Sequence, residues 1–380
     1  MTCELVGNLL LLSEKAGRIA RACRQNPHLL SLLVQEKSEA EKNPRFVQDF
    51  KTLADVLVQE VVRHEVGEKF PDLKEFIYGE ENNKFSNAAG DSILVSVAEK
   101  ETDTASLLSK VLAGDAEAAN LLAAEIHSTI HSSDVSVDHW PNYELEVPLS
   151  RLGIWIDPID STAEYINGGW SESLPHSSGL ACVTILIGIF DRESGTPIAG
   201  VINQPFHSLL SDKLWNGRAF WGLSYNGQNI CSIPKPKSST ESMVSIFLSI
   251  IAVSGSEKEE IKSKLAAAGF SLIEPAGAGY KLLCVITGDV SGYVLSKGST
   301  YFWDTCGCHA VLKSLNGSVI KFSDAVAAGN AVELLYQEKS DAPGIEGYSN
   351  SAGIIAFREK KRHWFCSSSN VSKAELYQKL

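Results

Sequence analysis

Residues 152–162, which read Leu-Gly-Ile-Trp-Ile-Asp-Pro-Ile-Asp-Ser-Thr, constrain this chain more than any other stretch. Leu152–Ile156 is an unbroken apolar run, which suits a strand covered on both faces. Asp157 and Asp160 follow where that strand is expected to stop, with Pro158 between them. Proline fixes φ and removes an N–H, so a turn is expected there. Ser161 and Thr162 come next, and residues 163–166 can open a helix. Two acids at the end of a buried strand, beside the N–H groups of a helix start, can hold a hard cation and a phosphate together. An Asp-Pro turn closed by a Ser or Thr cap accounts for the same letters. From this stretch alone both readings stand.

The remaining elements decide between them. Leu5, Leu9, Leu12, Ala16, Ile19 and Cys23 recur at helical spacing and predict a helix over 4–24. A second helix is expected over 44–64, with Phe46, Phe50, Leu53 and Leu57 as its buried stripe. Asp55 falls on the far side of that stripe, where an acid is ordinarily solvated unless a cation lies opposite. Phe76–Tyr78 reads as a short strand running into Glu80 and Glu81. Helical pieces over 104–112 and 116–127 fill the long gap to Asp157. Strands over 179–190, 198–203 and 219–225, the last closed by Asn226-Gly227, make the first half helices plus a largely antiparallel sheet. The Pro, Lys and Ser-rich stretch 232–240 reads as a connection, which divides the chain into an α+β domain (1–235) and an α/β domain (236–380). In the second half, strands over 243–253, 290–295 and 318–322 alternate with helices. Ser256, three residues before Glu259, predicts a capping box opening a helix over 257–268. Gly277–Lys281 leads into another helix, and Tyr301–Asp304 into a third over 305–315.

Charge and cysteine usage narrow the function classes. The formal net charge of −12 argues against nucleic acid as a general partner, but not against an anionic small molecule held through bound cations. The eight cysteines include no Cys-x-x-Cys spacing, which points away from zinc and toward free thiols in a reducing compartment. No secretory signal is visible and no apolar run approaches the roughly 20 residues of a membrane span. A cytoplasmic protein without membrane contact is the expectation.

Acids recur at element ends: Asp55, Glu80, Glu81, Asp157, Asp160 and Asp304. These are hard oxygen ligands without matching His or Cys, a set that suits Mg²⁺. If they converge, they cannot all stay ionised without cations.

In that order, Glu80-Glu81, Asp157-Pro158-Ile159-Asp160-Ser161-Thr162 and Trp303-Asp304 resemble the inositol monophosphatase superfamily of metal-dependent, lithium-sensitive phosphomonoesterases. Lys51–Glu60, Val183–Gly188, Gly200–Phe206 and Gly277–Lys281 extend the resemblance. The long gap after Glu81 is similar to the branch acting on inositol polyphosphates. The likeness covers nearly the whole chain and thins over 163–178, over 207–217 and after about residue 322. Gly307 and Cys308 stand where relatives often have alanine; both are small, so the helix carrying Asp304 is expected to pack.

The resemblance implies a layered αβαβα sandwich with the metal site between its halves. It implies two or three Mg²⁺: one on Glu80, Asp157 and the Ile159 carbonyl, a second on Asp157, Asp160 and Asp304, and a weaker third near Asp55 and Glu80. Glu81 is a further candidate ligand. A metal-activated water, oriented by Glu80 and Thr162 beside Asp55, would attack phosphorus in line, and Li⁺ would inhibit by replacing one Mg²⁺. Asp160, Ser161, Thr162 and Asp304 would meet the reacting phosphate. Ser256, Lys258, Gly277, Ala278 and Lys281 would meet the ring or a retained phosphate. The implied activity is removal of the 1-phosphate of inositol 1,4-bisphosphate and inositol 1,3,4-trisphosphate by a monomer. Two alternatives remain: a 3′(2′),5′-bisphosphate nucleotidase acting on phosphoadenosine phosphate, and a catalytically inactive inositol-phosphate binder.

Overall fold

The computed structural model describes residues 3–25, 30, 33–38, 41–42, 49–143, 145–170, 175–211, 214–234, 250–328, 331–337 and 339–358. In chain order, α1 (Cys3–Gln25) precedes a small antiparallel pair, β1 (Val34–Glu36) and β2 (Phe50–Thr52), which runs directly into α2 (Leu53–Lys69). Then come β3 (Ile77–Gly79), a second small pair, β4 (Lys84–Ser86) and β5 (Ser92–Leu94), and the helices α3 (Glu101–Ser109) and α4 (Ala116–His127). β6 (Leu152–Asp160) leads into the short α5 (Thr162–Asn167), and β7 (Thr184–Asp191), β8 (Pro197–Ser211), β9 (Leu214–Tyr225) and β10 (Gln228–Cys231) follow as a meander. The second half runs β11 (Ile250–Val253), α6 (Glu259–Ala267), β12 (Ser271–Ile273), α7 (Ala278–Thr287), β13 (Gly292–Leu295), α8 (Phe302–Ser314), β14 (Ser318–Lys321), α9 (Phe322–Ala328) and β15 (Ile354–Phe357).

Two sheets organise these elements. A six-stranded sheet has the order β10-β9-β8-β7-β6-β3 and is antiparallel except where β3 lies parallel to β6, Ile77 opposite Ile154. A five-stranded sheet has the order β12-β11-β13-β15-β14; β12, β11 and β13 are parallel, and β15 runs against both its neighbours.

Alternation along the strands shows how the sheets stack. Ile154 and Ile156 of β6, with Ile187 and Ile189 of β7, pack on the α1 side. Trp155, Leu186 and Phe190 face the other way, against α7 and α8. Ala252 of β11, Tyr293 of β13 and Ala356 of β15 reach the same middle core from the second sheet. Ile251, Val294 and Ile355 point outward, to α6 and α9. The layers are therefore α1 and α2, the large sheet, α7 and α8, the small sheet, and α6 and α9, as the αβαβα expectation required. Both faces of each sheet are covered, which explains why β6 reads as a continuous apolar run. Among the described residues no helix is long and apolar enough to cross a membrane.

Several boundaries differ from the sequence reading. The second helix begins at Leu53, and Phe50 belongs to β2; residues 44–46 lie outside the described residues. Thr52 decides the start, because its side chain and backbone exchange hydrogen bonds with Asp55. This helix is buried nearly all round from Leu53 to Gln59, so the single-stripe argument misplaces Asp55, which is buried rather than solvated. β6 does not stop at Ile156 but continues to Asp160. Residues 180–182 are a 3-10 turn, and the strand begins at Thr184. The N-cap position of α6 is Lys258, which makes no side-chain capping bond, so Ser256 forms no capping box. The domain boundary at 235/236 and residues 243–249 lie outside the described residues. The seven described cysteines are free thiols.

Candidate active site

The ends of β6 and α8 bring the acids together. Pairing of β6 with β7 runs regularly to Asp157 opposite Leu186, then resumes with Asp160 opposite Thr184. One extra residue is thus inserted on β6, a bulge, and Pro158 with its missing N–H lies within it. In a regular strand, residues three apart face opposite sides. The bulge cancels that, so both aspartates face the middle layer. Asp304, at the start of α8, comes from that layer: it accepts the Tyr301 N–H at 2.5 Å, which fixes the helix start. Asp157, Asp160 and Asp304 then offer oxygens that all lie within 4.8 Å of one another.

These carboxylates are poorly neutralised. Burial first, and then Glu80, Asp160 and Asp304, push Asp157 well above the usual carboxylate range. Burial, with Asp160 and Glu80, does the same to Asp304. Burial raises Asp160 to about 6 against the pull of Lys281 and of the Gly279 N–H, which donates to Asp160 Oδ2 at 3.0 Å. Among the described residues, Asp157 Oδ1 is buried without a hydrogen-bond partner. An orphaned carboxylate oxygen amid all-oxygen donors is what a hard divalent cation would satisfy, so the residues present fit Mg²⁺.

A second set of acids adjoins the first. Glu80 follows β3, and its carboxylate accepts from Lys37 Nζ at 2.6 Å. The same ammonium lies 2.7 Å from Glu81 Oε1. Burial pulls Lys37 down, but Glu80, Glu81 and Asp49 outweigh it and hold the ammonium well above its ordinary pKa. Glu81 is buried, with its backbone N–H donating to Gln59 Oε1 at 3.0 Å. Asp55 sits behind Thr162: its Oδ2 accepts from the Thr52 N–H at 2.7 Å and its Oδ1 from the Thr162 hydroxyl at 3.3 Å. Burial raises Asp55 to about 6.

Above the acids opens a cavity of about 820 Å³, within the range of small-molecule sites. Glu80, Asp157, Ile159, Asp160, Ser161, Thr162, Ser256, Gly277, Ala278, Lys281 and Asp304 line it, so eleven of the predicted site residues meet in one cleft. Ser161 adopts a left-handed conformation at φ 72°, turning the chain sharply out of β6 into α5. Gly277, at φ 74°, faces it, and a Cβ there would lie 2.7 Å from Asp160 Oδ2. The Thr162 hydroxyl also lies 3.1 Å from the Ile159 carbonyl.

Three predicted residues stand apart from this lining. Asp55 and Glu81 are buried behind it. Lys258 is exposed at the start of α6 and does not line the cleft, because Glu257 rather than the lysine turns inward. The sequence reading also missed residues that complete the site. Lys37 and Lys297 line the cleft, and Thr184 donates to Asp160 Oδ2 at 3.3 Å. A lone lysine in a polar run carries no periodic signal. Thr52, by contrast, stands three residues before Asp55, a spacing from which the cap could have been read.

Comparisons with known proteins bear on the family and the fold. The profile of the "Inositol monophosphatase family" matches residues 87–351. The inositol polyphosphate 1-phosphatase of Mus musculus is 43% identical over 380 residues, spanning 94% of this chain and 95% of that protein. The 3′(2′),5′-bisphosphate nucleotidase 1 of Rattus norvegicus is 26% identical over 360 residues, spanning 93% and 90%. Among solved structures, the extragenic suppressor protein suhB from Bartonella henselae superposes with a TM-score of 0.53 at 14% identity, covering 99% of this chain and 98% of that one, a likeness of fold.

Proposed function

The chain belongs to the inositol monophosphatase family and is a phosphatase, and from that premise we propose that it removes the 1-phosphate of inositol 1,4-bisphosphate and of inositol 1,3,4-trisphosphate, with Mg²⁺ as the required ion. One observation carries the choice of substrate: the mouse inositol polyphosphate 1-phosphatase matches almost end to end at 43% identity, against 26% for the rat nucleotidase.

Asp157, Asp160 and Asp304, with the Ile159 carbonyl and Glu80, would hold the ions; Asp55 and Glu81 support them from behind. When bound, Mg²⁺ supplies positive charge to the phosphoryl oxygens and makes a nearby water more acidic. The chain's own groups do the rest. Backbone N–H groups after Asp160, together with the Ser161 hydroxyl, receive the scissile phosphate at the turn into α5. The Thr162 hydroxyl, held between Asp55 Oδ1 and the Ile159 carbonyl, orients the attacking water. Glu80 takes a proton from that water as its oxygen bonds to phosphorus; the bond to inositol O1 breaks with its electron pair leaving on O1, which takes up a proton from solvent. Lys281, whose pKa burial lowers and Asp160 raises, sits beside Asp160 and Gly277 and balances charge at the ring.

The test is phosphate release from inositol 1,4-bisphosphate and from phosphoadenosine phosphate at one Mg²⁺ concentration, with and without chelator and Li⁺. Preferential release from the inositol substrate, abolished by chelator and inhibited by Li⁺, is expected. Preference for the nucleotide, or binding measured by calorimetry without phosphate release, would overturn the reading.

A further inference from the structure

The first turn of α8 delivers Asp304 to the acids, and residues far along the chain hold that turn. Asn350, shortly before β15, is 3% exposed. Its side-chain nitrogen Nδ2 lies 3.0 Å from the Tyr301 carbonyl oxygen, 3.1 Å from Thr300 Oγ1 and 3.2 Å from Thr305 Oγ1. The carbonyl can only accept, so the amide must turn its nitrogen toward it. The Asn350 backbone N–H donates to the Thr300 carbonyl at 2.8 Å, and Ser349 forms an antiparallel bridge with Tyr301. The Thr305 hydroxyl donates to the Tyr301 carbonyl at 3.1 Å, and the Tyr301 hydroxyl donates to Glu346 Oε1 at 2.5 Å. Most of these contacts converge on Tyr301, the residue whose N–H is accepted by Asp304 Oδ2.

That turn needs a hold. Oxygens of Asp157, Asp160 and Asp304 lie within 4.8 Å of one another, and like charges at that range push the first turn of α8 away from β6. The hold comes from an amide for a reason. Asn350 Oδ1 is buried and, among the described residues, has no hydrogen-bond partner. An orphaned acceptor costs stability, and an apolar side chain of the same size would fill the space without that cost. Packing alone therefore does not account for Asn350, whereas the donor end of its amide does.

We propose that Asn350 is a positioning residue for the metal cage: by holding Thr300, Tyr301 and Thr305 it sets where the Asp304 carboxylate stands relative to Asp157 and Asp160, and thereby the affinity for Mg²⁺. The proposal rests on the reading that these three aspartates hold the ion. Asn350 does not line the cleft and acts through Tyr301. Mg²⁺ demands near-octahedral oxygens at about 2.1 Å, so a ligand displaced by a fraction of an ångström is a weaker ligand.

Calorimetric titration of the full-length protein with Mg²⁺, without substrate, tests this beside the metal-free melting temperature. Asn350→Leu is expected to raise the Mg²⁺ Kd about 10-fold, the lower end of what loss of an outer partner of a metal ligand costs, with most of kcat returning at saturating Mg²⁺. Thr305→Val, which loses the hydroxyl on both the Asn350 and the Tyr301 contact, should raise the Kd by a smaller factor, and Thr305→Ser should recover it. A purely structural clamp would lower the metal-free melting temperature and leave the Kd of the folded protein unchanged. If Asn350→Leu and Thr305→Val both bind Mg²⁺ as the wild type does, the positioning role is wrong and the ligand assignment stands. Should Asn350→Leu not fold, Thr305→Val against Thr305→Ser decides by the same criterion. If Asp304→Asn binds Mg²⁺ as tightly as the wild type, or the wild type binds none, the ligand reading fails, and the positioning role with it.

Discussion

Asp157 Oδ1 is a buried oxygen without a hydrogen-bond partner among the described residues. Such an atom costs stability until a ligand meets it. Replacing the carboxylate should therefore separate activity from folding: Asp157→Asn is expected to lower phosphate release by at least about 10³-fold, while the metal-free melting temperature stays level or rises. Calorimetry beside the phosphate assay checks both, and normal turnover would sink the ligand assignment. His309 offers a test away from the acids. Buried on α8 between the Tyr336 hydroxyl at 3.1 Å and Ser318 Oγ at 3.3 Å, it is lowered by burial to about 3. The unfolded chain binds this proton near pH 6.5 and the folded chain does not. The stability contributed by neutral His309 is therefore complete above about pH 6.5 and is lost as pH falls toward 3, with a limiting slope of about 1.4 kcal/mol per unit. Urea unfolding of the wild type and His309→Gln at pH 7.5 and 5.5 should show the wild type losing more on acidification; parallel losses would refute it.

At the scale of elements, α8 lies against the large sheet where side chains are missing. A Cβ on Gly307 would come 2.7 Å from the Ile187 carbonyl, and one on Gly188 would strike Cys306 and Gly307 in turn. Gly307→Ala is therefore expected to destabilise by about 1–3 kcal/mol, the usual cost of overpacking, read as a lower urea midpoint at constant m. The helix packs, as the small Gly307 and Cys308 led one to expect, but at Gly307 the fit is tighter than alanine allows. The same helix shows what sequence can convey. Asp304 was readable as an acid at a helix start because such acids cap. The bulge in β6 was not, since nothing in Asp157–Asp160 distinguishes a strand that absorbs an extra residue from one that ends. Likewise Glu257 joins two segments distant in sequence, accepting from the Lys258 and Ser296 N–H groups, and carries no local pattern. β15 was missed because its pairing with β13 and β14 is also nonlocal.

For the whole molecule, the cleft concentrates acids whose ionisation opposes folding. Asp55 and Asp160 titrate near 6, above the roughly 3.9 of an unfolded aspartate. Between about pH 4 and 6 the folded chain therefore binds more protons, so metal-free stability from these groups rises as pH falls through that window. Cation binding relieves the same repulsion and competes with those protons. The rise in melting temperature on adding Mg²⁺ should accordingly be larger at pH 7.5 than at pH 5; comparing with and without Mg²⁺ at each pH cancels His309. A pH-independent rise would count against these carboxylates as the ion site. The layered architecture was legible because alternating and continuous apolar runs follow from which faces are covered, whereas the exact meeting of its walls was not. Asp157 and Asp160 hang from one layer and Asp304 from the next, and at the seam between them Gly188 and Gly200 lie against Gly307. The bore of the charged cage is thus gauged by residues that bear no charge. Thickening the seam by a single methyl should favour larger divalent ions over smaller ones, with every acid still in place.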